Sequence, residues 1–217
     1  MPEMQALLAA LNTLLPQGTG AGCADPRADL PAWPGEALPQ AVPARRREFA
    51  AGRQAARTAL AAIGAKPVAI PQGADRAPIW PPGLIGSITH TGDACLAIAA
   101  FRGEFQGMGL DLEPATPLDR DLWDSVLLPQ EQMAMMRLPA EGRGLAAKRA
   151  FCAKEAAFKA QYPLSNALFG FEVMTVTFGP DRFAATFQTD VAPFAAGHQI
   201  QGRMVEVAGH FLALALI

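Results

Sequence analysis

Residues 149–159 read RAFCAKEAAFK, and residues 47–57 read REFAAGRQAAR. Laid over one another at an offset of 102 (149 minus 47), Arg47 meets Arg149, Phe49 meets Phe151, Ala51 meets Ala153, Ala55 meets Ala157 and Arg57 meets Lys159. Both are Ala-rich and amphipathic, the pattern of a helix that lays a thin apolar stripe on a neighbour. They differ where chemistry could sit, because Gly52 and Arg53 stand opposite Lys154 and Glu155. Strand-like runs follow each helix. CLAIA (95–99) resembles FLALA (211–215), each after a histidine and a turn, though at a different offset. Helix followed by antiparallel strands, twice over, predicts an α+β fold of two similar halves related by a pseudo-twofold. The halves are expected at 1–108 and 109–217, with a ligand crevice between them.

The rest of the chain fits around this repeat. The first helix of the pair is expected from about Ala44 to Ile63, ended by Gly64 just past its C-cap. LIGSIT and ACLAIAAF read as a hairpin joined by HTGD, and GMGLDLEP as a short strand ended by Pro114. FEVMTVTF, RFAATF and RMVEVAGHFLALALI read as further strands. MPEMQALLAALNTLLP is a short amphipathic helix. Residues 16–44, rich in Pro and Gly, read as loop with Trp33 as an anchor. Residues 115–147 read as loop and helix and contain EQMAMMRL, whose Met133, Met135 and Met136 suit either a core face or an adaptable docking surface.

Composition narrows the class. Of 217 residues 51% are apolar and 18% charged, which supports a packed core and excludes global disorder. The apolar run FLALALI is far too short for a membrane span, and the N-terminus has no basic leader. Three cysteines without CxxC spacing argue against a disulfide framework or zinc site, so a reduced, cytoplasmic protein is expected. Five of the 18 basic residues fall within 45–57, in a chain of net charge −2. That local patch suits a phosphorylated small molecule better than nucleic acid.

Three stretches could carry chemistry. GLDLE (109–113) puts Asp111 and Glu113 on one face of a strand, their Cα atoms about 6.5–7 Å apart, with Leu110 and Leu112 on the other. Converging carboxylates suit a hard cation such as Mg²⁺; they equally suit a solvated acidic face. GSITH (86–90) ends a strand with Ser87, Thr89 and His90, groups able to hydrogen-bond phosphate. In the helix, Glu155 and Lys159 fit an i,i+4 ion pair or something more demanding. GxGxxG, Walker and GxSxG motifs are absent from the sequence.

The order of these motifs is more specific than any one of them. Gly83-Leu-Ile-Gly-Ser-Ile-Thr-His90, Gly109-Leu-Asp-Leu-Glu113 and Phe151-Cys-Ala-Lys-Glu-Ala-Ala-Phe-Lys159 together resemble the 4′-phosphopantetheinyl transferases, in the two-half monomeric type of enterobactin-synthase component D. The resemblance covers about residues 30–180; Cys152 stands where the family commonly has Ser or Thr. It implies transfer of the phosphopantetheine arm of coenzyme A to a serine of an acyl or peptidyl carrier protein, releasing 3′,5′-ADP. It implies Mg²⁺ on Asp111, Glu113 and Glu155, with Glu155 also near the serine proton. It places Lys154 and Lys159 against the phosphates, with Lys154 the better candidate for transition-state charge. His90 and Ser87 would meet a phosphate, Arg45 and Arg53 the 3′-phosphate nucleotide end, and Arg76 the nucleotide side. A nucleotide phosphohydrolase and a non-catalytic coenzyme A-binding paralogue are the rival readings.

Overall fold

A computed structural model describes residues 2–217. Helix α1 (Pro2–Leu14) is followed by β1 (Thr19–Ala24), α2 (Pro43–Ala62), β2 (Leu84–His90), β3 (Cys95–Phe101) and β4 (Met108–Pro114). Two short helices, α3 (Trp123–Val126) and α4 (Pro129–Met136), lead into the long α5 (Ala140–Ser165). Strands β5 (Met174–Phe178), β6 (Arg182–Phe187), β7 (Gln199–Val207) and β8 (His210–Leu216) complete the chain. The strands pair antiparallel in two sheets, ordered β1-β3-β2 and β4-β8-β7-β6-β5, which is the α+β class. Among the described residues no helix is long and apolar enough to cross a membrane.

Each sheet is covered on one face by an alanine-rich helix. Ala51, Ala55, Ala56 and Ala59 of α2 pack on Cys95, Ala97 and Ala99 of β3. Ala153, Ala156, Ala157 and Ala160 of α5 pack against the second sheet, including Ala213 and Ala215 of β8. Glycines let backbone meet backbone under these helices. A Cβ on Gly22 or Gly20 would lie 2.0 or 2.3 Å from the carbonyl oxygens of Ala55 and Ala59. One on Gly109 or Gly107 would lie 1.8 or 2.1 Å from those of Ala156 and Ala160.

Those contacts correct the register of the repeat. Ala55 corresponds to Ala156 and Ala59 to Ala160, an offset of 101 rather than 102. One residue turns an α-helix by about 100°, so Arg53 stands opposite Lys154, and Gln54 opposite Glu155. The sequence match is strongest at 102 because Arg, Phe and Ala recur there, but helix position is set by which carbonyls the glycines admit.

β1 is the strand that the loop reading of 16–44 missed. TGAGCA carries one β-branched residue, Thr19, and no aromatic one, because its glycines are selected for thinness under α2. The opposite faces of both sheets share one apolar layer. There Leu7, Leu11 and Leu14 of α1 pack over Ile85, Leu96 and Ile98 of the first sheet and Leu110, Leu112, Leu212 and Leu214 of the second. Arg203 of β7 donates to Thr13 O and Leu14 O, capping the end of α1 at 3.2 Å each.

The two sheets meet edge to edge where β2 runs beside β4. Side chains replace the missing ladder: Leu110 N–H donates to Ser87 Oγ (3.0 Å) and Leu112 N–H to Thr89 Oγ1 (3.1 Å). This seam carries the acidic face of β4 up to the α2 side of the molecule. The expected boundary after residue 108 falls one residue inside β4.

Candidate active site

β4 points Leu110 and Leu112 into the shared apolar layer, and its alternation turns Asp111 and Glu113 toward α5. Asp111 is buried. Its Oδ1 accepts hydrogen bonds from Lys159 Nζ at 2.6 Å and Thr89 Oγ1 at 3.2 Å. Its Oδ2 is buried without a hydrogen-bond partner. Glu113 accepts from Lys148 Nζ at 3.0 Å. Glu155 stands on the turn of α5 above them. Burial raises the Glu155 carboxyl above the usual carboxylate range; Lys159 opposes this, while Asp111 and Glu113 add to it. Glu113 is raised for the same reasons, burial first and then Asp111, against the pull of Lys148.

The three acids therefore feel one another's charge. They do not converge on a point: among the described residues no three His, Cys, Asp or Glu side chains could hold a metal ion as they stand. Lys159 and Lys148 hydrogen-bond Asp111 and Glu113 instead, and Lys159 also acts on Glu155 through its charge. The donor set nonetheless fits Mg²⁺, with all-oxygen ligands, mutual repulsion and an orphaned buried oxygen on Asp111.

A cationic group lies at the α2 side. Arg45 Nη1 and His90 Nε2 stand 2.7 Å apart, so the arginine donates and the neutral imidazole accepts. Desolvation and then the Arg45 charge hold His90 below its ordinary pKa. Arg53 is buried, with Nε donating to Ile70 O at 2.9 Å and its plane 3.8 Å over the Phe49 ring. Its Nη2 has no acceptor, and burial pushes its pKa down to about 10, which leaves it charged at neutral pH. Arg76, Ser87 and Lys159 line a separate pocket of about 290 Å³ walled by Trp80, Phe158 and Tyr162. Ser87 spends its lone-pair side on Leu110 N–H and keeps its hydroxyl proton for other use.

Lys154 departs from its expected place against the phosphates. Its ammonium donates to Val126 O (2.7 Å), Glu131 Oε2 (2.7 Å) and Phe171 O (3.1 Å), three acceptors for three protons, and the residue is 2% exposed. Glu131 in turn accepts from Leu128 N and Val176 N. The first sheet repeats this device: Glu36 accepts from Arg57, from Trp33 N and from Ile70 N. In both, a buried glutamate accepts the backbone N–H three residues before it and pairs with a helix cation. Lys154 closes that clip: it lines a pocket beside Glu155, but its ammonium is committed to Val126, Glu131 and Phe171. Of the methionines, Met135 is core, whereas Met133 and Met136 are exposed.

Sequence reasoning missed two side chains here and the role of a third. Lys148, six residues before Lys154, has no local signal that it reaches Glu113. Thr89 was grouped with phosphate donors but holds Asp111. Glu131 lies in the Met-rich stretch and pairs with a lysine 23 positions on.

Residues 33–100 match the model of the 4′-phosphopantetheinyl transferase N-terminal domain, and residues 107–214 that of the 4′-phosphopantetheinyl transferase superfamily. The chain is 40% identical over 172 residues to the 4′-phosphopantetheinyl transferase Npt of Nocardia iowensis, covering 77% of this chain and 76% of that protein. It is 38% identical over 145 residues to PptT of Mycobacterium tuberculosis, covering 66% and 63%. It is 40% identical over 121 residues to enterobactin synthase component D of Escherichia coli, covering 54% of each. By its two matched regions and its identity to these relatives, the chain belongs to the 4′-phosphopantetheinyl transferase family.

Proposed function

We propose that this chain transfers the 4′-phosphopantetheine arm of coenzyme A to a serine hydroxyl of an apo acyl or peptidyl carrier protein, releasing 3′,5′-ADP with Mg²⁺ as cofactor. The observation that carries the reading is the crevice in which Asp111 and Glu113 of β4 meet Glu155 of α5, next to Lys159 and within reach of the Arg45–His90 pair. A pyrophosphate needs cations on its oxygens, and a hydroxyl that attacks phosphorus needs a proton acceptor close by. Both lie in one place here.

Asp111, Glu113 and Glu155 would hold Mg²⁺, which when bound supplies charge neutralisation at the pyrophosphate. Lys159 turns from Asp111 to a phosphate oxygen. Arg45, Arg53 and His90 take the 3′-phosphate end: the buried Nη2 of Arg53 has no hydrogen-bond acceptor, which a phosphate oxygen would supply. Arg76 and Ser87 bound the nucleotide side. The serine oxygen bonds to phosphorus as the bridging P–O bond breaks, and its electron pair leaves with 3′,5′-ADP. The serine proton passes to Glu155, directly or through a water. Lys154 carries no phosphate in this scheme. We further propose that 1–108 and 109–217 act as two halves around the crevice, in a cytoplasmic monomer.

The test is incubation with coenzyme A, Mg²⁺ and an apo carrier protein, followed by the carrier's mass. A gain equal to the phosphopantetheine arm is expected. An unchanged carrier alongside hydrolysed coenzyme A would point to a phosphohydrolase. Binding without either product would leave a non-catalytic paralogue.

A further inference from the structure

Residues 71–82, between α2 and β2, face the last turns of α5 across a pocket, and Asp75 is hydrogen-bonded across it. The tip is braced from within: Gly73 N donates to Ala77 O (2.8 Å), Arg76 N to Gly73 O (3.0 Å) and Ile79 N to Pro71 O (2.9 Å). Arg76 sits at φ 70, a left-handed conformation that side chains rarely adopt. Two contacts fix that turn, Gln72 Nε2 donating to Arg76 O and Ala77 N donating to Asp75 Oδ1. The other oxygen of Asp75 leaves the loop, where Tyr162 of α5 donates its hydroxyl to Oδ2 at 2.7 Å.

We infer that Tyr162 and Asp75 are positioning residues for coenzyme A: their hydrogen bond straps the 71–82 segment to the last turn of α5 and fixes the width of the pocket between them. The inference rests on the coenzyme A reading above. One wall of that pocket is the strap itself, Arg76, Pro78 and Trp80; the facing wall is Phe158, Lys159 and Tyr162 of α5. With both oxygens of Asp75 committed, one inward and one across, the carboxylate transmits the place of α5 to the backbone that presents Arg76. Neither Tyr162 nor Asp75 touches the acids of β4, so the strap sets how the nucleotide side is gripped and leaves the reacting groups where they are.

Tyr162 is the single tyrosine of the chain, which makes the contact readable without any ligand. Its hydrogen bond to Asp75 holds the phenol above its usual pKa, so absorbance of tyrosinate should appear at lower pH in Asp75→Asn than in the wild type. Titration calorimetry with coenzyme A should show roughly 3–10-fold weaker binding for both Tyr162→Phe and Asp75→Asn, the range one such hydrogen bond spans. In turnover the loss should fall on KM for coenzyme A rather than on kcat. Identical tyrosinate curves in wild type and Asp75→Asn would overturn the strap, as would unchanged coenzyme A affinity in both variants of a binding wild type. A wild type that fails to bind coenzyme A would instead overturn the functional reading, while the absorbance titration still decides whether the strap exists.

Discussion

Replacing Gly109 with alanine should separate the helix from the strand on which the site depends. The new Cβ would lie 1.8 Å from Ala156 O, 2.6 Å from Ala160 N and 2.9 Å from Ala156 C. All three are backbone atoms of α5, so no side chain can turn away to make room. Restoring an ordinary contact of about 3.4 Å requires roughly 1.6 Å of separation, in an interior packed as densely as a crystal. Overpacking costs typically about 1–3 kcal/mol, and backbone on both sides puts this case at or above the upper end. With a urea m-value of about 2–3 kcal/mol per M, a loss of about 3 kcal/mol lowers the midpoint by roughly 1–1.5 M. Lifting α5 also moves Glu155 from Asp111, so kcat of the folded fraction should drop with stability. Gly142→Ala, on the same helix with nothing within 4 Å, is the control and should gain up to about 1 kcal/mol. A Gly109→Ala protein with a midpoint within about 0.2 M of wild type and undiminished turnover would refute the close approach, and with it the corrected register.

Three further outcomes are expected. Lys154→Met leaves Glu131 buried and unpaired, so denaturation should show a loss of about 3–5 kcal/mol, while coenzyme A affinity of the folded fraction falls less than in Lys159→Ala; the reverse ranking would return Lys154 to the phosphates. Glu155→Gln keeps volume and removes charge, so the fold should persist by circular dichroism with transfer abolished, and near-normal turnover would exclude Glu155 from the reaction. His90 has its pKa lowered in the free protein, so the folded state favours neutral imidazole; that stability is held above the ordinary value of about 6.5 and lost as pH falls through the lowered one. A bound phosphate reverses the shift, so coenzyme A binding should take up a proton and weaken as pH rises from about 6 to 8; in His90→Asn the slope should vanish, and equal slopes in both proteins would remove His90 from the phosphate site.

The acidic strand was legible because period two is written directly into Leu110-Asp111-Leu112-Glu113, and burial on one side forces the carboxylates to the other. The same directness made α2 readable to its end, where Gly64 takes φ 75 as expected beyond a C-cap. β1 was hidden for the opposite reason: its residues answer to the helix above it, and a strand chosen for closeness looks like loop. Lys154 shows a second limit. A lysine beside a catalytic-looking glutamate reads as chemistry, yet neighbours on a helix differ by about 100° in direction, so Glu155 can face the crevice while Lys154 turns inward. What decides its role is Glu131, distant in sequence and placed by the packing of α4, and no local pattern announces that partner. The repeat itself carries the lesson furthest. Arg57–Glu36 and Lys154–Glu131 are built alike although their cations occupy different helix positions, 57 against the 53 that aligns with 154. The two halves thus agree on a physical solution, a buried glutamate gathering loop amides onto a helix cation, more closely than they agree on residues. The side chains freed from that duty on each helix, Arg45 on one and Glu155 with Lys159 on the other, are those that face the crevice.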